Sequence, residues 1–127
     1  MDKVILKKLQ KWFCENAESL PWRPRLLEAL RDPYAVWISE TMLQQTQVAT
    51  VKDYFVRWMK RFPDLDSLAK ANEAEVFKFW QGLGYYNRAK NILKTAKIVA
   101  PQMPDSRKEL EALPGIGAYT AGAILSL

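Results

Sequence analysis

Residues 39–47, SETMLQQTQ, surround one carboxylate with hydroxyl and amide side chains. We call this segment the glutamate cluster. A glutamic acid whose pKa is raised by partial burial can protonate a leaving group, so Glu40 is a candidate general acid. Amides and hydroxyls can bond the edges of nucleic-acid bases, which makes Gln44, Gln45 and Thr46 candidate binding residues. The alternative is an ordinary solvated helix face.

A second candidate site is the segment LPGIG at residues 113–117, which we call the hairpin. Gly115 and Gly117 would permit positive φ and a close approach of the backbone. The N–H groups of the hairpin and of the next helix could then point at one anion, such as a phosphate. The alternative is a glycine-rich turn between two helices.

Residues 81–88, QGLGYYNR, form a third candidate, the tyrosine segment. An exposed Leu83 or Tyr85 on such a loop can wedge between bases and hold the gap left by a displaced nucleotide. The alternative is a helix end followed by two tyrosines that belong to the core.

The composition excludes several kinds of chemistry within these 127 residues. With no histidine and one cysteine, Cys14, the chain offers no serine or cysteine triad that needs histidine, no imidazole metal ligand and no thiolate site for zinc or an iron–sulfur cluster. The net charge of +5 favours an acidic partner such as nucleic acid. No signal peptide is evident, and no apolar run reaches the roughly 18 residues of a membrane span, so we expect a cytoplasmic, DNA-associated protein without a membrane partner.

Helical periodicity runs through nearly the whole chain, and no strand pattern is found. An amphipathic helix is predicted over residues 2–18. Asp32 before Pro33, Asn72 and Ser106 each predict a helix start. The sequence therefore predicts an all-α fold of about seven helices in a single domain over residues 1–127.

Residues 34–62 contain no glycine or proline, yet their pattern argues against one straight helix. The apolar face of the second half, projected backwards at 100° per residue, meets Trp37, Thr41 and Gln44, with Glu40 at its edge. A single helix would bury these polar groups among apolar ones. We expect a break near residues 45–47 and a wet groove lined by the polar residues.

The last segment, residues 118–127, is small and apolar almost throughout. A helix that is apolar on all sides belongs inside something larger. We therefore expect the chain to be the amino-terminal part of a longer protein.

These segments together resemble the adenine-specific DNA glycosylases of the MutY type, in the helix-hairpin-helix base-excision superfamily. The resemblance covers about residues 9 to 127, and its motifs are Leu20–Arg23, Pro33–Trp37, Ser39–Gln47, Gln81–Tyr86 and Leu113–Leu125. The sequence ETMLQQTQ separates this branch from relatives that remove thymine glycol. Endonuclease III-like relatives carry a lysine where this chain has Tyr119, so lysine-based lyase chemistry is not expected.

The resemblance implies a helical fold of the six-helix-barrel type and a role for each matched residue. Glu40 would protonate adenine, and Tyr119 would support both the acid and the developing cation on the sugar. The partner would be double-stranded DNA in which adenine lies opposite 8-oxoguanine or guanine. The other implied DNA contacts are, in chain order, Trp22 and Arg23 near the adenine, Gln44 on the DNA, Gln45, Thr46, Leu83 and Tyr85 near the opposite base, and Gly115 and Gly117 on a phosphate.

The chain also departs from the family pattern. Family members carry a catalytic aspartate, four cysteines for a [4Fe–4S] cluster and a domain that reads 8-oxoguanine, all beyond the segment that matches residues 121–127. This chain has none of them, so we expect no cofactor here, little activity from the isolated chain, and a partner in the missing carboxyl-terminal part. The connection from Arg23 to Asp32 is longer than in the family, which weakens the role of Arg23. The alternative function is a non-catalytic helix-hairpin-helix module that binds DNA.

Overall fold

A computed structural model describes residues 32–44 and 46–125, and this part of the chain forms helices without any strand. In chain order the helices are α1 (Pro33–Leu43), α2 (Val48–Arg61), α3 (Leu65–Ala69), α4 (Glu73–Trp80), α5 (Tyr86–Val99), α6 (Arg107–Glu111) and α7 (Ala118–Leu125). The all-α prediction is confirmed, whereas the helix predicted over residues 2–18 lies outside the described residues. None of the described helices has the length and apolar character needed to cross a membrane.

The predicted helix starts are confirmed. The side chains of Asp32, Asn72 and Ser106 each accept a hydrogen bond from a backbone N–H two or three residues further on, at 3.1, 2.8 and 3.2 Å. Each cap satisfies a donor that has no partner inside its own helix. A further cap, Asp64 with Ser67, starts the short helix α3, which the sequence analysis did not identify.

The predicted break between the first two helices is also confirmed. α1 ends at Leu43, Gln44 has the extended backbone angles φ −65° and ψ 113°, and α2 begins at Val48. The apolar face expected for the second half turns inward, since Val51, Phe55 and Trp58 are fully buried on α2. Because the chain breaks here, α2 can pack its apolar face in the core while the polar residues of α1 face a different direction.

α1 lies at the centre of the described helices. Every residue from Tyr34 to Leu43 is buried. The Tyr34 hydroxyl donates to the Phe62 carbonyl at 2.7 Å and accepts from the Trp58 indole N–H at 3.0 Å, so its polar end is satisfied within the core. Burial raises the pKa of the Tyr34 phenol, which stays neutral. These bonds tie α1 to the end of α2.

The packing of the helices determines which segments surround the end of α1. α1 packs against α2 on one side and α7 on another, while α5 packs against α3 and α4. α6 packs on α7, and the hairpin at residues 113–117 connects the two. The carboxyl-terminal end of α1 therefore lies close to both α5 and the hairpin.

Candidate nucleic-acid interface

The glutamate cluster is buried where it belongs to α1. Glu40 is only 1 % exposed, and Ser39 and Thr41 are buried beside it. The two hydroxyls donate to carbonyls of their own helix, Ser39 to Val36 at 3.0 Å and Thr41 to Trp37 at 2.7 Å. A solvated helix face, the alternative for this segment, is therefore wrong.

The two proposed catalytic side chains lie on helices that pack together. Gln44, at the end of α1, donates from Nε2 to the Thr120 hydroxyl of α7 at 3.4 Å. Tyr119 precedes Thr120 and is 54 % exposed, in contrast to the buried Glu40. The fold thus brings the acid helix and the tyrosine helix together, with the tyrosine on the open side.

A small cleft separates the end of α1 from α5 and the hairpin. Trp37, Thr41 and Gln44 line one wall, as the projected polar face predicts, and Asn91 and Gly115 line the opposite wall. Its internal volume of about 20 Å³ accommodates roughly one water molecule. A cleft is therefore present where the polar face of α1 was projected.

The hairpin lies against α5, to which it is hydrogen-bonded at one position. The Thr95 hydroxyl donates to the Pro114 carbonyl at 3.0 Å. Gly115 has φ +77°, and a Cβ at this position would lie 3.0 Å from the Cβ of Asn91, so glycine is required here by both conformation and space.

Gly117 differs from Gly115, because only Gly115 uses the positive φ that both glycines would permit. Gly117 has no positive φ, and a Cβ there would meet no atom within 4 Å. The Gly117 carbonyl accepts from Ala121 N–H at 3.0 Å, so Gly117 directly precedes α7 and accepts its first helical hydrogen bond. The space beside it is open. The first N–H groups of a helix have no partner within the helix and can bind an anion.

The tyrosine segment is held in a defined loop. Gly82 and Gly84 have φ +98° and +76°. The Tyr54 hydroxyl of α2 donates to the Gln81 carbonyl at 2.7 Å, and the Trp80 indole N–H donates to the Gly84 carbonyl at 2.9 Å. These bonds fix both ends of the turn before any ligand is present.

The exposure of the aromatic and aliphatic side chains in this loop differs from the prediction at one position. Tyr85 is 58 % exposed and Tyr86 is also exposed, so the alternative of two core tyrosines is wrong. Leu83 is 8 % exposed because it packs into the core, and the expectation of an exposed Leu83 wedge is wrong for this arrangement. Tyr85 and Tyr86 are therefore the exposed aromatic side chains of this loop.

Arg88 connects the tyrosine segment to the glutamate cluster, and the sequence analysis did not single it out. Its Nη1 donates to the carbonyl of Gln44, and its guanidinium lies 4.7 Å from the centre of the Tyr85 ring. The spacing of three residues between tyrosine and arginine at a helix start was the only available signal. The partner 44 residues away was not visible in the sequence.

Several predicted site residues cannot be placed. Trp22, Arg23 and Gln45 lie outside the described residues, while Thr46 is half-buried in the turn between α1 and α2. Within the described ranges, no group of three or more acidic, cysteine or histidine side chains is arranged to hold a metal. Exposed Lys90 and Lys94 add positive charge along α5.

Comparison with known proteins identifies the family. A model described as "HhH-GPD superfamily base excision DNA repair protein" matches residues 38–123. The adenine DNA glycosylase of Rattus norvegicus is 46 % identical over 129 residues, an alignment that covers 95 % of this chain and 25 % of the rat protein. The chain therefore spans about a quarter of the length of this relative.

Solved structures of glycosylases have a similar fold. A thermostable thymine-DNA glycosylase superposes with a TM-score of 0.71 at 27 % identity, covering 98 % of this chain and 58 % of that one. A non-covalent endonuclease III–DNA complex superposes with a TM-score of 0.69 at 25 % identity, covering 75 % and 47 %. The family match includes Glu40, the tyrosine segment and the hairpin, and the chain belongs to the HhH-GPD superfamily of base excision DNA repair proteins.

Proposed function

We propose that this chain is part of a DNA glycosylase that removes adenine from a mispair with 8-oxoguanine or guanine. The single observation that carries the proposal is the burial of Glu40 on α1, where α1 packs against the helix that follows the hairpin. The relatives support adenine as the base, because identity to the rat adenine DNA glycosylase is 46 % and identity to the thymine-DNA glycosylase structure is 27 %.

Glu40 supplies the acid in this proposal. Neutral adenine is a poor leaving group, and protonation at N7 allows its bond to the sugar to break. A buried glutamic acid is removed from bulk water, so its proton passes to the base and not to solvent. Tyr119, exposed on the neighbouring helix, supports the acid and the sugar from the open side.

The sugar becomes cationic as the base leaves, and a second negative charge must stabilise it. Among the described residues, Asp32 and Asp64 cap helices, and Asp66 lies in the first turn of α3. Those three side chains serve the local structure of helix starts. In the proposal, the second carboxylate comes from outside the described residues.

DNA is held through its phosphates at the hairpin. Gly117 leaves open space at the start of α7, where backbone N–H groups can reach a phosphate oxygen. The net charge of +5 and the exposed lysines of α5 add a general attraction for the duplex.

The base opposite the adenine is read by the tyrosine segment and the end of the glutamate cluster. The exposed Tyr85 ring can stack on or between bases. Gln44, Gln45 and Thr46 carry the amide and hydroxyl groups that can bond a base edge. Selectivity for 8-oxoguanine belongs to these residues in the proposal.

A [4Fe–4S] cluster does not fit the residues present. Such a cluster needs four thiolates, and these 127 residues contain only Cys14. No step of the proposed reaction runs through a cluster.

The second candidate function is a DNA-binding module without catalysis. The cleft beside α1 holds about one water molecule, and the placed aspartates Asp32 and Asp64 cap helices, which together favour this candidate for the chain by itself. It keeps the hairpin and the tyrosine segment as binding elements and assigns no reaction to Glu40.

Adenine release distinguishes the two functions. The product of the whole reading frame that contains this chain should release adenine from duplexes with 8-oxoguanine opposite adenine, and should leave thymine opposite guanine intact. Single-turnover cleavage of labelled duplexes after alkali treatment measures both rates. If the protein binds both duplexes but releases neither base, the glycosylase function is wrong and the DNA-binding function is supported.

A further inference from the structure

Arg88 contacts two segments that are distant in the sequence and that the proposed function assigns to the same base. Its Nη1 donates to the Gln44 carbonyl at the end of α1. Its guanidinium carbon lies 4.7 Å from the centre of the Tyr85 ring. Gln45 and Thr46 follow Gln44 directly, so one side chain adjoins both parts of the surface that would read the opposite base.

The chemistry of arginine suits both contacts. The last carbonyls of a helix lack partners within it and carry partial negative charge, which favours a cationic donor. A planar guanidinium can also stack on a ring while its N–H groups donate in its own plane, and a lysine ammonium cannot do both in the same way.

The backbone of Tyr85 gives a second reason for the contact. Tyr85 has φ 53° and ψ 56°, a left-handed conformation that is costly for a side chain of this size. Such a conformation persists only when surrounding contacts hold it. The stacked guanidinium of Arg88, anchored on Gln44, is a contact of that kind.

We propose that Arg88 is a positioning residue for recognition of the base opposite adenine. It sets the distance between the Tyr85 ring and the Gln44 carbonyl at the end of α1, so that the two segments engage one base. This inference rests on the proposed function.

Arg57 provides a matched control. Its guanidinium also lies 4.7 Å from the centre of a tyrosine ring, that of Tyr54. Its Nε donates at 3.4 Å to the carbonyl of Asp53, within the same helix. Arg57 thus has the stacking of Arg88 without the bond to a second helix.

The first experiment compares Arg88→Lys and Arg57→Lys in the product of the whole reading frame. Single-turnover rates of adenine release are measured opposite 8-oxoguanine and opposite guanine. We expect the ratio of these rates to fall by about five- to tenfold in Arg88→Lys, the size expected for losing one stacked, charge-assisted contact. In Arg57→Lys the ratio stays at the wild-type value. An unchanged ratio in Arg88→Lys would overturn the inference.

The second experiment needs no activity. Amide hydrogen exchange is followed in the same three proteins, and we expect faster exchange in Arg88→Lys at residues 44–47 and 81–86 only. Uniformly faster exchange in every helix, or no change in these two segments, would overturn the positioning role. If the wild-type protein releases no adenine, the proposed function fails, and the exchange pattern alone decides whether Arg88 joins the two segments.

Discussion

Glu40 is ionisable and almost completely buried. Its substitution should therefore affect the rate of adenine release and the affinity for DNA differently. In the product of the whole reading frame, Glu40→Gln should lower the rate of adenine release by roughly 100-fold or more, the usual contribution of a general acid. DNA affinity should change little, because a side chain that is 1 % exposed does not contact phosphates. Single-turnover rates and equilibrium titration of the same duplex measure the two effects.

Glu75→Gln is the control for that substitution. Glu75 pairs with Arg61 on the surface, with about a third of its side chain exposed, and it lies on α4. Its loss should leave both rate and affinity unchanged, since exposed ion pairs contribute little. If Glu40→Gln releases adenine at the wild-type rate, Glu40 is not the general acid.

At the scale of single elements, the two glycines of the hairpin should respond differently to a methyl group. Gly115→Ala should lower the free energy of unfolding by about 1–2 kcal/mol, because alanine at positive φ is strained and its Cβ would press on Asn91. Gly117→Ala should change the free energy of unfolding by less than about 0.5 kcal/mol, since its Cβ meets nothing. Denaturant titration measures both.

Gly117→Ala, which should leave the stability of the protein almost unchanged, should instead affect its binding to DNA. The methyl group of Gly117→Ala would project into the space where a phosphate approaches the start of α7. We therefore expect Gly117→Ala to weaken duplex binding while remaining fully folded. Equal affinity of folded wild type and Gly117→Ala would show that the hairpin is a turn without a phosphate site.

Local features of the elements could be predicted from the sequence, and tertiary ones could not. The caps at Asp32, Asn72 and Ser106 act within three residues, so the pattern is complete in the sequence. α3 was not predicted because its five residues are too few to show a helical period. The burial of Leu83 and the bond from Arg88 depend on helices that meet only in the folded protein.

At the scale of the whole molecule, charge should govern affinity for undamaged DNA. The 127 residues carry a net charge of +5, and the proposed contacts are to phosphates. If two phosphates are neutralised, a tenfold rise in salt should weaken binding roughly 60-fold, because counterion release sets the slope. Titration of a labelled duplex at several salt concentrations tests this. Affinity that does not depend on salt, or no binding at low salt, would contradict the basic surface.

Catalysis should need more than these 127 residues. Glu40 is the proposed acid, and a second carboxylate must stabilise the sugar cation. Asp32 and Asp64 cap helices, so the proposal assigns neither of them to that role. We expect residues 1–127 alone to release no adenine above background, while the product of the whole reading frame is active. Parallel single-turnover assays of the two proteins provide the comparison. Efficient release by the short chain would mean that another carboxylate serves the sugar.

The burial of α1 on all sides has a consequence for how this protein responds to mutation. A helix with no solvent-facing side, from Tyr34 to Leu43, has no local route by which its amides can open to water. Its hydrogen exchange should therefore report global unfolding. Substitutions of its apolar residues would then lower the amount of folded protein in the cell, and this loss of abundance would resemble a catalytic defect. In this chain the proposed acid, Glu40, lies on the helix that should open only when the whole protein unfolds.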